Sequence, residues 1–209
     1  YRFLIAYLGI WVISPKRLFT NNWQDELWLV AGGIFGGSLY FFTENTALGI
    51  TQASNVSFII CTAPLLTTIL SLLFYKSEKA SKGLIYGSLL ALMGVGLIVF
   101  NGSFVLKISP IGDLLTLLAA LSWAFYSLII KKMARRYPTV FITRKIFFYG
   151  VLTILPAFLL HPLQPDTAVL LQPAVLFNLL FLAVLASLIC YVLWNVVLKQ
   201  LGTVRASNY

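Results

Sequence analysis

Long stretches of this chain contain no charged residue, and they constrain its fold more than any other feature. They include residues 83–106, 146–165 and 167–198. A helix needs about 20 mostly apolar residues to cross the hydrocarbon core of a bilayer, and each stretch is long enough. Only 10% of the 209 residues are charged and 60% are hydrophobic, whereas soluble domains carry about 25% charged residues. The sequence therefore excludes a soluble domain and a disordered chain, and it predicts an all-α, polytopic membrane protein.

The apolar segments predict seven membrane helices joined by short connections. An apolar start covers 1–14, and the remaining spans are predicted near 27–47, 52–74, 82–100, 111–130, 139–160 and 174–198. The chain opens inside an apolar segment, and residues 205–209 are similar to the beginning of another span. We therefore expect a fragment of a longer protein.

The basic residues are distributed unevenly between alternate connections. The chain has 15 Lys and Arg against six Asp and Glu, a net charge of +9. When alternate loops share a side, thirteen cations fall on one side and two, Arg2 and Lys107, on the other. Cytoplasmic loops carry such an excess, so the charge predicts orientation rather than binding to nucleic acid. Connections 15–26, 75–81, 131–138 and 199–203 are cytoplasmic on this interpretation, in the plasma (bacterial inner) membrane, and the basic run at 131–136 suits anionic lipid headgroups.

Two spaced matches indicate an internal repeat. Ala-Ser-Asn at 53–55 recurs at 206–208, 153 residues later, and Arg2 with Tyr7 recurs in spacing as Arg144 with Tyr149, 142 residues later. The period covers five spans, and an odd number of spans places the second copy upside down in the membrane. Inverted repeats are typical of secondary transporters, which bind substrate between the halves. The expected halves are 1–103 and 104–209, each short of one helix, within a protein of roughly 300 residues and ten helices.

Five segments of the chain carry a resemblance to a known family. They are ENTALGITQASN at 44–55, APLLT at 63–67, GLIYGSLLALMGVGLIVF at 83–100, GDL…AALSWAFY at 112–126 and LGTVRAS at 201–207. These segments resemble the EamA family of the drug/metabolite transporter superfamily. The resemblance covers the chain from the family's second helix to the start of its ninth. It implies a ten-helix inverted-repeat fold and export of small metabolites such as amino acids.

Polar and aromatic residues inside the spans are the candidates for substrate binding. Glu44 is the one acid well inside a predicted span, where ionisable groups are costly and commonly functional. Arg2 and Arg144 are each suited to grip a carboxylate with two hydrogen bonds. Each group also has an alternative interpretation. The arginines could extend to the membrane surface, Glu44 could be an interfacial carboxylate, and the aromatic groups could serve packing alone. The candidate set is Arg2, Tyr40, Glu44, Asn45, Ser54, Asn55, Trp123, Tyr126, Arg144, Tyr191, Trp194 and Asn195.

Three further features predict local structure. Pro64 is expected to bend the predicted span 52–74 and is a candidate hinge. The tandem pairs Gly32/Gly36 and Gly33/Gly37 predict close helix packing. Asp25 and Glu26 are interpreted as acids of a first helical turn, and Lys145 as a purely topogenic charge.

The leading functional prediction is a secondary transporter of small metabolites that works by alternating access, with export favoured. No phosphate-binding glycine loop of the Walker type occurs in the sequence, and we predict no cofactor, no metal and no catalytic residue. A non-transporting scaffold or sensor is the main alternative, and a membrane-embedded enzyme a weaker one. Proton coupling, facilitated flow and a homodimer all stay open at this point.

Overall fold

The structure is a computed structural model of the 209-residue chain. It describes residues 1–15, 19, 20, 22–75, 109–157 and 168–207, the backbone of 158–160 and 167, and residues 83, 86, 87, 89, 90, 92–94 and 97. Most of the predicted span 82–100 lies outside the described residues. So do six of the cations counted above, which are Lys16, Arg17, Lys76, Lys79, Lys82 and Lys107.

The described residues are almost entirely helical, which confirms the all-α prediction. The helices are α1 (Arg2–Ile13), α2 (Trp23–Gly33), α3 (Leu39–Ile50), α4 (Ala53–Ile60), α5 (Ala63–Phe74), α6 (Pro110–Ala134), α7 (Thr139–Leu160), α8 (Thr167–Leu170), α9 (Pro173–Leu180), α10 (Cys190–Leu201) and α11 (Thr203–Ser207). Two π-helical segments, π1 (Ile34–Ser38) and π2 (Phe181–Ile189), make α2–π1–α3 and α9–π2–α10 continuous.

Four helical stretches are long and apolar enough to cross a membrane. They are Ala53–Phe74 (α4 with α5), Pro110–Ala134 (α6), Thr139–Ala157 (within α7) and Pro173–Leu201 (α9–π2–α10). Arg2–Ile13 (α1) is a shorter apolar helix. Each coincides with a span that the sequence predicts. The helix ends also follow the sequence: the Asn22 side chain caps α2, and the Ser109 hydroxyl accepts from the Gly112 amide 3.4 Å away at the start of α6.

The long helix α6 is the centre of the packing. It contacts α2, α3, α4, α5 and α10, while α7 packs against α2 and π1, and α1 packs against π2. Tyr126, Ile130 and Met133 of α6 are fully buried in the hydrophobic core of the described residues. Residues on opposite faces of α6 line two separate cavities, which are described below.

Glycines bring α2 and π1 close to their neighbours, as the tandem spacing predicts. A Cβ on Gly33 would lie 2.5 Å from Cβ of Tyr149, and one on Gly36 would lie 2.3 Å from Cδ2 of Tyr126. Real Cβ atoms do not approach other heavy atoms so closely, so only glycine fits at both positions.

The predicted bend near Pro64 coincides with a break in the helix. The chain leaves α4 at Ile60, turns through Cys61 and Thr62, and enters α5 with Pro64 in its first turn. Proline is favoured there because its missing N–H is not needed in the first turn. A second turn at Gly202, whose φ is 79°, separates α10 from α11.

Candidate functional site

A cavity of about 390 Å³ lies where the start of α1, the helix α3, the middle of α6 and the α9–π2–α10 helix meet. Six of the twelve candidate residues line it: Arg2, Tyr40, Glu44, Trp123, Tyr191 and Trp194. Phe41, Leu182, Ala186 and Cys190 complete the lining. A cavity of this volume is within the usual range for small-molecule sites.

Two opposite charges face this cavity from different helices. The Arg2 Nε donates to the Ser187 hydroxyl at 2.5 Å, and its guanidinium lies 4.3 Å from the centre of the Phe41 ring. The Glu44 carboxylate accepts from the Tyr40 hydroxyl at 3.2 Å. Within the described part of the chain, Arg2 and Glu44 form no ion pair with each other. The cavity therefore offers a separate cation and a separate anion.

The walls between these charges are aromatic. The Trp123 ring lies 5.3 Å from Tyr40, 5.6 Å from Tyr191 and 5.7 Å from Trp194, measured between ring centres. The buried indole N–H of Trp194 has no hydrogen-bond partner among the described residues. An indole N–H is a donor only, so this buried group has no acceptor within the described structure.

A buried hydrogen-bond network lies behind the cavity wall and connects the helices that form it. The Tyr126 hydroxyl donates to Asn195 Oδ1 at 2.8 Å, and Asn195 Nδ2 donates to the Thr143 hydroxyl at 2.9 Å. The Tyr191 hydroxyl donates to the Gly36 carbonyl at 2.6 Å, inside π1. Tyr126 and Asn195 are therefore positioning residues that connect α6, α7 and α10 rather than parts of the cavity surface.

Four candidate residues lie away from the cavity. Asn45 is exposed on α3, and neither Ser54 nor Asn55, at the start of α4, lines the cavity. Arg144 is 1% exposed, and its Nη1 donates to the Ser14 carbonyl at 2.5 Å. Ser14 ends α1 whereas Arg2 begins it, so the two arginines are separated by about 18 Å along that helix.

A second cluster of charges, at the α1 end that contacts Arg144, was not predicted. The Lys145 ammonium and the Tyr149 hydroxyl both donate to Glu26 Oε1, and the Thr20 hydroxyl donates to Glu26 Oε2 at 2.6 Å. The interpretation of Lys145 as a purely topogenic charge is therefore wrong, because its side chain has no solvent exposure and is paired. Lys145 lies six residues after the start of an apolar helix, where a buried cation requires a carboxylate partner. This position is the feature of the sequence from which the pair could have been predicted.

Asp25, next to Glu26, makes a matching set of contacts. Arg136 Nη1 and the Tyr137 hydroxyl donate to its two oxygens at 2.7 and 2.9 Å. Burial and the hydrogen bond to Asp25 raise the pKa of the Tyr137 phenol, so it stays a neutral donor. Both acids are first-turn residues of α2, as expected, but their main role is to join α2 to α7 and to the turn before it.

No metal site can be assembled from the described part of the chain, because His, Cys, Asp and Glu do not gather there in groups of three or more. Elsewhere, the Ser71 and Thr203 hydroxyls lie 2.9 Å apart and join α5 to α11.

The family model of the EamA-like transporter family matches residues 1–100 and again 110–209. The chain belongs to the EamA-like transporter family. This EamA member is 28% identical over 213 residues to an uncharacterized transporter of Archaeoglobus fulgidus, covering all of this chain and 72% of the relative. It is 27% identical over 198 residues to the uncharacterized transporter YyaM of Bacillus subtilis, covering 93% of this chain and 63% of that protein.

A solved crystal structure shares the fold of this EamA member. It superposes with a TM-score of 0.73 at 18% identity, over 99% of this chain and 74% of the other. The family, the relatives and the apolar helices together identify a multi-pass membrane transporter, and they point away from an enzyme.

Proposed function

We propose that this chain is the main part of a secondary transporter for small zwitterionic metabolites, amino acids or related compounds, with export as the favoured direction. One observation carries the proposal: Arg2 and Glu44 line the same aromatic cavity without pairing to each other. A zwitterion complements both charges at once, its carboxylate at Arg2 and its ammonium at Glu44. The aromatic walls suit an apolar side chain.

We further propose that two inverted halves, 1–103 and 104–209, move against each other around this site. The two separate matches to the family model support the division. The packing supports it too, since α1 lies against π2 while α7 lies against π1. In each half, a serine of the π segment contacts the other half: Ser187 accepts from Arg2, and Ser38 lies 2.8 Å from the Thr153 hydroxyl.

The same proposal assigns the two ends of the bundle to the two sides of the membrane. The charge distribution supports an orientation with Arg2 outside and Asp25, Glu26 and Lys145 inside, at a plasma membrane. On this assignment the cavity faces outward, and the Glu26–Lys145 and Asp25–Arg136 pairs close the cytoplasmic end. Alternating access then requires both pairs to open, and the helix break before Pro64 is a candidate hinge for that movement.

The experiment is counterflow in proteoliposomes that contain the purified protein. Vesicles are preloaded with one unlabelled amino acid, and uptake of the labelled form is measured against protein-free vesicles. We expect accumulation for at least one aromatic or branched amino acid. Accumulation for none, from folded protein, would overturn the transporter proposal, and binding without flux would favour a sensor instead.

Substrate analogues test the assignment of the two charges. An amino acid amide lacks the carboxylate, and the corresponding hydroxy acid lacks the ammonium. We expect each analogue to compete about tenfold or more weakly than the amino acid, since each loses one charge-assisted hydrogen bond. In Arg2→Gln, the amino acid and its amide should compete equally well. In Glu44→Gln, the amino acid and the hydroxy acid should compete equally well. A variant that keeps the wild-type preference shows that its residue does not bind that group.

A further inference from the structure

A second cavity, of about 620 Å³, lies on the opposite face of α6 from the first. Its lining residues on α6 include Phe125 and Lys132, which are turned by about 180–200° around the helix from Trp123. The other walls come from α2, π1 and the end of α5. The proposed transport function makes no use of this cleft.

One part of the cleft is lined by aromatic rings. The Phe125 ring centre lies 5.3 Å from that of Phe35 and 6.4 Å from that of Phe74. From Phe125 to Lys132 the wall on α6 extends for about 10 Å. An aromatic wall of this kind suits a hydrocarbon chain better than a compact polar metabolite.

Cations gather at the other end, where the cleft reaches the end of α6. The Lys132 ammonium lies 3.7 Å from the centre of the Trp28 ring, which holds it at the mouth. Arg135 is exposed and has no acidic partner among the residues that the structure describes. Arg136 is paired with Asp25. The described rim therefore retains two positive charges beyond that pair.

We propose that this cleft binds an anionic phospholipid of the surrounding bilayer. The phosphate lies between Lys132 and Arg135, and one acyl chain lies along Phe35, Phe74 and Phe125. Basic pockets between membrane helices bind anionic headgroups, and those on the cytoplasmic side meet the anionic lipids of that leaflet. A phosphocholine lipid brings its own cation to the two basic residues and is disfavoured, while a free phosphate leaves the aromatic wall unused.

Native mass spectrometry of the full chain in detergent, titrated with phosphatidylglycerol or phosphatidylcholine, tests the proposal. We expect one phosphatidylglycerol to be retained at lipid concentrations where phosphatidylcholine is lost. The double variant Lys132→Gln/Arg135→Gln should weaken that adduct about tenfold or more, because two charge-assisted contacts are removed. The matched control Lys199→Gln/Arg205→Gln removes two exposed cations elsewhere and should keep wild-type retention.

A second variant fills the apolar part without changing any charge. Ala31 lines the cleft, so Ala31→Phe should also weaken the adduct, with the thermal unfolding profile used to confirm that both variants fold. Equal retention of the two lipids, or equal losses in the Lys132/Arg135 and Lys199/Arg205 variants, would overturn the proposal. A dimer mass that disappears in Ala31→Phe would also overturn the proposal, because a second copy of the chain would then occupy the cleft.

Discussion

The Lys145 ammonium donates to the Glu26 carboxylate from a position with no solvent exposure, and the same carboxylate accepts from Tyr149. This contact joins α2 to α7 across the interface of the two proposed halves. Two charges removed from water stabilise a fold only while both are present, because either one alone is left without its counter-ion. The pair is therefore expected to matter more for stability than its single hydrogen bond suggests.

The first prediction is that Lys145→Met destabilises the protein. Breaking a buried ion pair from one side costs about 3–5 kcal/mol, so we expect a loss of that order in the free energy of unfolding, measured by SDS titration in mixed micelles. The control is Lys199→Met, which removes an exposed cation outside both pairs and should change the free energy of unfolding by no more than about 0.5 kcal/mol. Equal losses in the two variants would show that the pairing of Lys145 with Glu26 does not stabilise the fold.

The contrast between Arg2 and Arg144 shows what the sequence can and cannot predict. The helices follow from the length and continuity of their apolar segments, and six cavity residues follow from polar or aromatic groups inside those segments. The sequence also matches Arg144 to Arg2 by spacing and includes it among the candidate binding residues. In the structure, however, Arg144 contacts the opposite end of α1 from Arg2. The inverted repeat that we propose accounts for the difference, since equivalent positions of inverted halves lie at opposite sides of the membrane.

The Glu26–Lys145 pair was missed for a related reason. The two residues are 119 positions apart, and their contact depends on how α2 and α7 are rotated and shifted against each other. Apolar periodicity does not define that register when a helix is hydrophobic on most faces. Gly33 and Gly150 define it instead, because they let the two backbones approach at one place.

The second prediction concerns Gly36, whose missing side chain makes room for the ring of Tyr126. In Gly36→Ala the new Cβ would lie 2.3–2.7 Å from three atoms of that ring, so Tyr126 must move and its hydrogen bond to Asn195 weakens. Overpacking of this kind costs about 1–3 kcal/mol. Counterflow should fall as well, because the Tyr126 ring packs against the cavity residue Trp123, with 5.1 Å between the ring centres. Gly49→Ala is the control, since nothing lies within 4 Å of a Cβ there, and it should be neutral or slightly stabilising. Similar behaviour of the two variants would contradict the close contact.

The third prediction separates two neighbouring candidates on α3. Glu44 lines the cavity whereas Asn45 is exposed and does not, so counterflow should fall at least about tenfold in Glu44→Gln and stay near wild type in Asn45→Ala. If protons are coupled through Glu44, the pH dependence of net transport should also flatten in Glu44→Gln but not in Asn45→Ala. An unchanged pH profile would remove the coupling role and leave only the binding role.

The fourth prediction uses the two free cysteines as reporters of the cavity. Cys190 lines it and is exposed, whereas Cys61 lies in the break between α4 and α5, outside the lining. A charged methanethiosulfonate reagent should therefore modify Cys190 in Cys61→Ala protein, and saturating substrate should slow that modification several-fold because both occupy the same space. The extent of modification is measured by intact-protein mass spectrometry.

The matched control for this experiment is Cys190→Ala, in which only Cys61 is available. Its slower modification should not respond to substrate, since Cys61 lies outside the cavity. If substrate protects Cys61 as strongly as Cys190, the protection reflects a global change of conformation rather than occupation of the cavity. If substrate protects neither cysteine while counterflow is intact, the substrate site lies elsewhere, and the assignment of Arg2 and Glu44 as its binding groups is wrong.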